Sequence, residues 1–103
     1  VGSVAVGTTP LSVSVAGRYA YVVDAGSDDL KIIDVSNPTT PLVVGSVVLG
    51  TSPYSVSVTG RYAYVVDSGS DDLKVIDVSN PTTPLVVGSV AVGTTPLSVS
   101  VAG

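Results

Sequence analysis

The stretch GRYAYVVDAGSDDLKIIDVSNPTTPL begins at Gly17, and it returns at Gly60 as GRYAYVVDSGSDDLKVIDVSNPTTPL. Residues 1–43 match residues 44–86 at 36 of 43 positions, so the chain has a repeat period of 43 residues. A fixed period of roughly 20 to 50 residues is typical of arrays in which each unit buries its apolar surfaces against its neighbours. The repeat is therefore the unit from which the fold should be built.

Each repeat is predicted to form four short strands. In the first repeat these are residues 11–16, 19–24, 30–35 and 42–49. The first strand alternates apolar and hydroxyl side chains, whereas the second is apolar on both faces, as in a strand packed between two layers. A Gly/Ser/Asp loop at 25–29 joins the second strand to the third, and a turn with two prolines at 36–41 leads to the fourth. Short connections of this kind favour an up-and-down antiparallel meander.

The composition supports an all-β fold. Apolar residues make up 45% of the chain, with no Phe, Trp, Met or Cys, and valine favours the pleated surface of a sheet. Seven prolines and eleven glycines interrupt the chain too often for long helices. Four strands in a repeat of about 40 to 50 residues are typical of a β-propeller blade. We therefore expect tandem four-stranded antiparallel blades of a β-propeller-like repeat, with an open superhelical β-repeat fibre as the alternative.

The repeats predict four segments and leave the array incomplete. Residues 87–103 match residues 1–17 at every position. The predicted segments are the outermost strand of a preceding blade (1–9, with the strand at 1–6), two complete blades (10–52 and 53–95) and the innermost strand of a following blade (96–103, with the strand at 97–101). A propeller closes with about four blades or more, so we expect a segment of a longer repeat array. A fragment that assembles with copies of itself and an open fibre remain as alternatives.

Two runs carry a resemblance to a known family. The runs YAYVVD at 19–24 and LKIIDVSNP at 30–38 resemble the LVIVD repeat of propeller-like surface proteins from bacteria and archaea. Residues 30–34 and 73–77 lie where the name-giving motif of that family falls. The resemblance implies a bladed fold that is secreted or attached to a surface, and it supplies no catalytic residues to transfer.

The charge and residue types exclude several classes of function. The chain has two Arg, two Lys and eight Asp, which gives a net charge of −4. Four scattered cations are too few for nucleic-acid binding. No apolar run approaches the roughly 20 residues of a spanning helix, and no polybasic patch could hold anionic lipid, so we expect no membrane insertion. With 25 Ser and Thr residues, the polar surface is largely hydroxyl, which suits an extracellular or cell-surface protein.

The acidic loops are the main candidate for a ligand site. Residues 24–29 hold three carboxylates and one hydroxyl, and residues 67–72 hold three carboxylates and two hydroxyls, sets that could bind calcium. Their spacing departs from the calcium-loop pattern and no Glu follows, so side chains bonded to the local backbone in a hairpin turn are the preferred interpretation. Asp34 and Asp77 precede Val-Ser-Asn-Pro turns, where we expect them to accept hydrogen bonds from turn amides.

Other candidate residues are also better explained by structure. The chain has no His, Cys or Glu, and therefore no usual proton-transfer partner for a serine. Tyr19 and Tyr21 could bind a sugar but are expected to pack between blades. Tyr54, which replaces Leu11 of the first repeat, could line a channel or a fibre contact, and a packing role is the preferred interpretation. We predict no catalytic, cofactor-binding or metal-binding residues. Thr-Thr-Pro clusters lie at 8–10, 39–41, 82–84 and 94–96, and they suit O-glycosylation or ordinary turn chemistry.

Three functional hypotheses follow. The first is a non-enzymatic extracellular repeat protein, a structural scaffold, filament or adhesion module, whose partner is itself and, as a further option, surface glycans or proteins. The second is a ligand-binding or hydrolytic propeller whose active residues lie in other blades. The third is an engineered symmetric propeller, although the seven scattered conservative substitutions between repeats favour natural drift.

Overall fold

The fold consists of two β-meanders in series. The structure is a computed structural model, and it describes residues 2–3, 7, 10–69 and 71–92, without the side chain of Leu11. Its strands are β1 (Pro10–Ala16), β2 (Tyr19–Asp24), β3 (Asp29–Asp34), β4 (Leu42–Val48), β5 (Pro53–Thr59), β6 (Tyr62–Asp67), β7 (Asp72–Asp77) and β8 (Leu85–Ala91). They form two four-stranded antiparallel sheets in the orders β1-β2-β3-β4 and β5-β6-β7-β8, here called the first and second blade. The prediction of an all-β fold with four-stranded antiparallel blades is confirmed.

The hairpin between β2 and β3 shows why the third strand starts one residue earlier than predicted. Asp24 pairs with Asp29, which leaves a loop of four residues, 25–28. The loop closes with Asp28 at φ 57°, and Asp71 repeats this at φ 57° in the second blade. Aspartate tolerates the left-handed conformation better than most residues, since its short side chain can bond the local backbone. The acidic loop therefore forms the hairpin turn between β2 and β3.

Each blade has two faces, which the strand register assigns. Tyr21 pairs with Ile32 and Val23 with Leu30, so these four side chains share one face of the first blade. We call this the trailing face, and the opposite face of a blade the leading face. In the second blade the leading face carries Val56, Ala63, Val65 and Ile76.

The outer strands β4 and β8 each contain a β-bulge. Ile32 pairs with Gly45 and Ile33 with Val43, so Val44 is the extra residue in β4. The same shift occurs in β8 between the partners of Val75 and Ile76. A bulge bends an outer strand and makes its free edge a poorer template for another strand. The free edges of β4 and β8 are therefore poor templates for edge-to-edge pairing with another sheet.

The first strands of the two blades differ in exposure. Val13 and Val15 of β1 are 59% and 64% exposed, whereas Val56 of β5, the equivalent of Val13, is 7% exposed. The cause is position, because the first blade covers β5 and no described blade precedes β1. Apolar alternation identifies the face that a blade buries, and a neighbour determines whether it is buried.

The predicted single strands fall largely outside the described residues. Of residues 1–6, only Gly2 and Ser3 are described, and neither belongs to a strand. Residues 96–103 are outside the described part of the chain, so the proposed segment boundaries stay predictions. No helix within the described ranges is long and apolar enough to cross a membrane.

Candidate functional site: the junction between the two blades

The centre of the junction is a single apolar core shared by both blades. The trailing face of the first blade supplies Tyr21, Val23, Leu30 and Ile32, and the leading face of the second supplies Val56, Ala63, Val65 and Ile76. Leu30, Ile32, Val65 and Ile76 are fully buried. A fully buried aliphatic side chain contributes about 1.5–3 kcal/mol relative to an exposed one, so this contact contributes strongly to stability. Neither blade could bury these side chains alone.

A polar contact joins the two inner strands beside this core. The backbone N–H of Val56 in β5 donates to Oγ of Ser12 in β1 across 3.3 Å. A strand edge that faces a neighbouring blade has donors that a sheet ladder cannot satisfy. The serine of the alternating pattern therefore bonds the adjacent blade.

The linker into the second blade is held by a buried carboxylate. Asp67 is fully buried, and its Oδ2 accepts a hydrogen bond from the N–H of Gly50 at 3.2 Å. Nζ of Lys74 lies 3.2 Å from the same oxygen and 2.7 Å from Oδ2 of Asp72. Burial raises the pKa of Asp67 while Lys74 and Gly50 oppose that rise. Burial also lowers the pKa of Lys74, but its hydrogen bonds to the two carboxylates outweigh this effect and the pKa is raised.

Glycine permits the closest approach between the blades. A Cβ at Gly45 in β4 would collide with the carbonyl oxygen of Pro81 and lie 3.2 Å from the ring of Pro84, both in the turn before β8. At Gly88, the equivalent position in β8, a Cβ would have no neighbour within 4 Å. Gly45 is thus a contact residue of the junction, whereas Gly88 occupies the same position in β8 without a neighbouring turn against it.

Carboxylates of the first acidic loop accept hydrogen bonds from backbone amides of the loop and of the linker. In the first blade, Oδ1 of Asp24 accepts from the N–H groups of Gly26 at 2.8 Å and Ser27 at 3.4 Å. Oδ1 of Asp28 accepts from the N–H of Ser52 in the linker at 3.0 Å. Among the described residues, no three acidic side chains are grouped so that they could hold a metal ion. These contacts favour the hairpin interpretation of the loops over the calcium hypothesis.

Asp34 and Asp77 bind turn amides, as the sequence indicates. Asp34 Oδ1 accepts from Oγ of Ser36 at 2.6 Å and from its N–H at 2.9 Å, and Arg18 lies 2.6 Å from Oδ2. These bonds, with those from Ser36 first, lower the pKa of Asp34 to about 2. Asp77 has the same environment, and its pKa is also lowered to about 2.

Acid should therefore weaken the fold through these two carboxylates. Their pKa is about 2 when folded, against an ordinary value of 3.8. A lowered pKa contributes stability that is present above pH 3.8 and is lost as the pH falls towards 2. We expect the Tm to drop over this window, and to drop less steeply in an Asp34→Asn/Asp77→Asn double variant. Thermal melts between about pH 5 and pH 2 would check this, and equal slopes for both proteins would contradict it.

The remaining candidate residues are placed as follows. Tyr21 is 5% exposed in the core, with the ring of Tyr19 at 6.5 Å, so Tyr21 packs between blades as expected. Tyr54 is 39% exposed, so it is only partly packed. The hydroxyl of Thr39 donates to Oδ1 of Asn37 at 2.8 Å, whereas Thr40 is exposed. Turn chemistry thus accounts for Thr39, and O-glycosylation stays a prediction.

The family follows from the two repeats. The model of the LVIVD repeat matches residues 10–48 and 52–92, which are the two blades. The chain belongs to the LVIVD repeat family. This confirms the resemblance carried by the runs at 19–24 and 30–38. No curated protein sequence matches the chain.

Solved structures share the fold of these LVIVD blades. One is a functionally unknown protein from Desulfotomaculum acetoxidans DSM 771, with a TM-score of 0.73 and 21% identity over 88% of this chain and 31% of that one. Another is the hydrazine synthase of Kuenenia stuttgartiensis, with a TM-score of 0.75 and 20% identity over 95% of this chain and 28% of that one. The LVIVD chain thus spans about a third of the length of these structures. At this identity the likeness concerns the fold alone.

Sequence reasoning missed two parts of the junction. It assigned no role to Gly50, although a glycine exactly 43 residues after Gly7 marks the same linker in each repeat. It also treated Asp67 only as a member of an acidic loop. The signal was available, because an Asp that ends an otherwise apolar strand must find partners once the strand is covered on both faces.

Proposed function

We propose that the chain is a non-enzymatic structural repeat module whose function is to associate blade against blade, in a scaffold, filament or adhesion module at the cell surface or outside the cell. The observation that carries the proposal is the exposure of apolar strand residues at opposite ends of the blade pair, Val13 and Val15 in β1 and Val87 and Val90 in β8. Surfaces that form a core in the middle of an array and are uncovered at its ends favour continued addition of like units.

The valines at the outer strand of the second blade show this most directly. Val87, Val90 and Val92 are 56%, 55% and 47% exposed. Of their equivalents in the first blade, Leu49 is 8% exposed and Val44 packs against the core. The sequence is nearly the same and only the neighbour differs. The outer strand of the second blade therefore presents apolar side chains like those that the junction buries in the first blade.

The use of the charged groups supports a structural role. The carboxylates of Asp34 and Asp67 hold a turn and a linker, and Lys74 neutralises Asp67. A general acid or base must reach a substrate atom, and a group already occupied by backbone bonds is poorly placed for that. The hydroxyl-rich loops support the extracellular part of the proposal, and mass analysis of peptides covering Thr39 and Thr40 would detect glycans on them.

A pair of substitutions in β8 tests the proposal. Val90 lies on the trailing face and is 55% exposed, and its neighbour Ala91 is exposed on the opposite face. We expect Val90→Asp to weaken self-association by at least about tenfold, because a charge would be buried in the joint, and Ala91→Asp to have little effect. Sedimentation over a range of concentrations measures both, with electron microscopy to separate rings from fibres. A wild-type chain that stays monomeric throughout would contradict the proposal.

A second candidate function rests on one comparison. The same fold occurs in a chain named hydrazine synthase, which is more than three times as long as this one. A ligand-binding or hydrolytic propeller with active residues in further blades is the corresponding alternative. The denatured mass of the intact polypeptide from its source tests it, since a mass near 10.2 kDa would leave no room for such blades.

A further inference from the structure

The turn that leads into the outer strand of each blade uses its two threonines differently. In the first blade the hydroxyl of Thr39 donates to Oδ1 of Asn37 at 2.8 Å, and the second blade repeats this bond at 2.9 Å. Thr40 and its counterpart Thr83 are exposed, and their hydroxyls make no hydrogen bond to any described residue. Each turn therefore has one hydroxyl that the fold uses and one that it leaves accessible.

The backbone of the turn holds Thr40 and Thr83 in place. The N–H of Thr40 donates to the carbonyl oxygen of Asn37 at 3.0 Å, and Thr83 makes the equivalent bond at 3.0 Å. A proline follows each of these threonines, which favours an extended backbone at the threonine. In the second turn, the carbonyl oxygen of Pro81 also lies against Gly45 of the first blade. The accessible hydroxyls are therefore presented by an anchored turn that lies outside the strand ladders.

We infer that Thr40 and Thr83 are acceptors for O-linked sugars and that Thr39 and Thr82 are not. Threonine beside proline in an exposed segment is typical of O-glycosylated extracellular proteins. The inference rests on the extracellular location in the proposed function, and it deepens that proposal by naming the modified residues. Each blade then carries its sugar at the same place, one repeat apart.

The chemistry of sugar transfer separates the two threonines of a turn. The hydroxyl oxygen bonds to the anomeric carbon of a nucleotide-activated sugar, and the bond from that carbon to the phosphate breaks as the nucleoside diphosphate leaves. The hydroxyl proton passes to a base of the transferase. At Thr39 this is the proton donated to Asn37, so transfer would remove a hydrogen bond of the turn. At Thr40 transfer removes no bond to a described residue.

An exposed leucine beside each acceptor fits a covering sugar. Leu42 and Leu85 lie two residues after Thr40 and Thr83, at the start of the outer strands. They are 62% and 63% exposed, although only the first blade has a described blade after it, so a following blade does not cover this position. Consecutive Cα atoms are about 3.8 Å apart, so a sugar on Thr40 reaches Leu42 and the free end of β4. Its bulk there would further hinder edge-to-edge pairing with another sheet.

Peptide mapping of the native chain, isolated from its source, tests the inference. Electron-transfer fragmentation should locate sugar mass on Thr40 and Thr83 and none on Thr39 and Thr82. A Thr40→Val/Thr83→Val double variant, produced in the same source, should lose the sugar from both turns and remain folded by circular dichroism. The matched control, Thr39→Val/Thr82→Val, should keep the sugar and melt at a lower temperature, because it loses the hydroxyl bonds within the turns.

Labelling of intact cells with a membrane-impermeant reagent separates this inference from the proposed function. Sugar on Thr39 or Thr82 would overturn the assignment of the acceptors. If the chain is outside the cell and all four threonines are bare, the inference is wrong and the scaffold proposal stands. If the chain stays inside the cell and the threonines are bare, the inference and the extracellular location are both wrong. Sugar on Thr40 and Thr83 of a chain that stays inside would support the acceptors and contradict the location.

Discussion

Replacing Lys74 with methionine is expected to lower the free energy of unfolding by about 3–5 kcal/mol at neutral pH, the range seen when one partner of a buried ion pair is removed. Lys74 is the cation beside Asp67, whose side chain is fully buried, and its own side chain is 16% exposed. Without it, the carboxylate that holds the linker into the second blade would be a buried charge with no opposite charge beside it. Urea unfolding of the two proteins measures the difference.

The repeat supplies a matched control for this substitution. Lys31, the equivalent residue of the first blade, pairs with Asp29, and the two side chains are 20% and 13% exposed. Lys31→Met should cost less, about 1 kcal/mol, because the charge that remains is nearer to solvent. Equal losses for Lys31→Met and Lys74→Met would show that the buried junction pair has no special role.

A second check is how the loss in free energy of unfolding caused by Lys74→Met depends on pH. Burial already raises the pKa of Asp67 above its ordinary value of 3.8, and removal of the cation raises it further. A carboxyl whose pKa is raised on folding stabilises the fold at pH values below its pKa in the unfolded chain. This stabilisation is lost as the pH rises through its pKa in the folded chain. The difference between wild type and variant should therefore be largest at neutral pH and smallest below pH 3.8. A difference independent of pH would contradict this account.

Replacing Gly45 with alanine is expected to cost about 1–3 kcal/mol, while the same change at Gly88 leaves stability within about 0.5 kcal/mol. At Gly45 the added methyl group meets the carbonyl of Pro81 and the ring of Pro84, and both belong to the opposite blade. At Gly88 it meets nothing. Alanine also restricts the unfolded chain more than glycine does, so Gly88→Ala has room for a small gain.

Thermal and urea unfolding of the two alanine variants measure this difference in the junction. Both glycines lie in outer strands and follow the same valine in sequence, so strand propensity cancels between them. What remains is the presence or absence of a neighbouring blade. At concentrations where the chain is monomeric, a loss at Gly88 as large as the loss at Gly45 would mean that the backbone, and not the junction, requires glycine at these positions.

The sequence predicted the repeat, the four strands and their order because these depend on local patterns. Alternation in β1, the apolar run at Tyr19–Asp24 and the proline turn each act within a few residues. The repeat period then indicates that neighbouring repeats must bury one another's apolar faces. The faces in contact follow from alternation as well, since Tyr21 and Ile32 fall on one side and Val22 on the other.

The parts that could not be predicted depend on which neighbour is present. Gly45 and Gly88 lie in the same run LVVGSV, and Val13 and Val56 lie in the same run SVSV. Their differences arise from contacts between residues about one period apart, which no local pattern specifies. The bond from Gly50 to Asp67 is of the same kind, because it links a linker to the end of a strand 17 residues later. Identical repeats thus acquire different roles from their position in the array.

The central claim is that the trailing face of the first blade packs on the leading face of the second, and methyl NOEs of isoleucine test it most directly. The chain has three isoleucines, Ile32, Ile33 and Ile76, so their spectrum can be assigned by substitution. Ile76 shares its core with Val23 and Leu30 of the first blade. We predict NOEs from Ile76 to methyl groups of the first blade and none from Ile33 to the second. If every NOE of Ile76 stays within its own sheet, the blades are not docked as described, and the account of the junction is wrong.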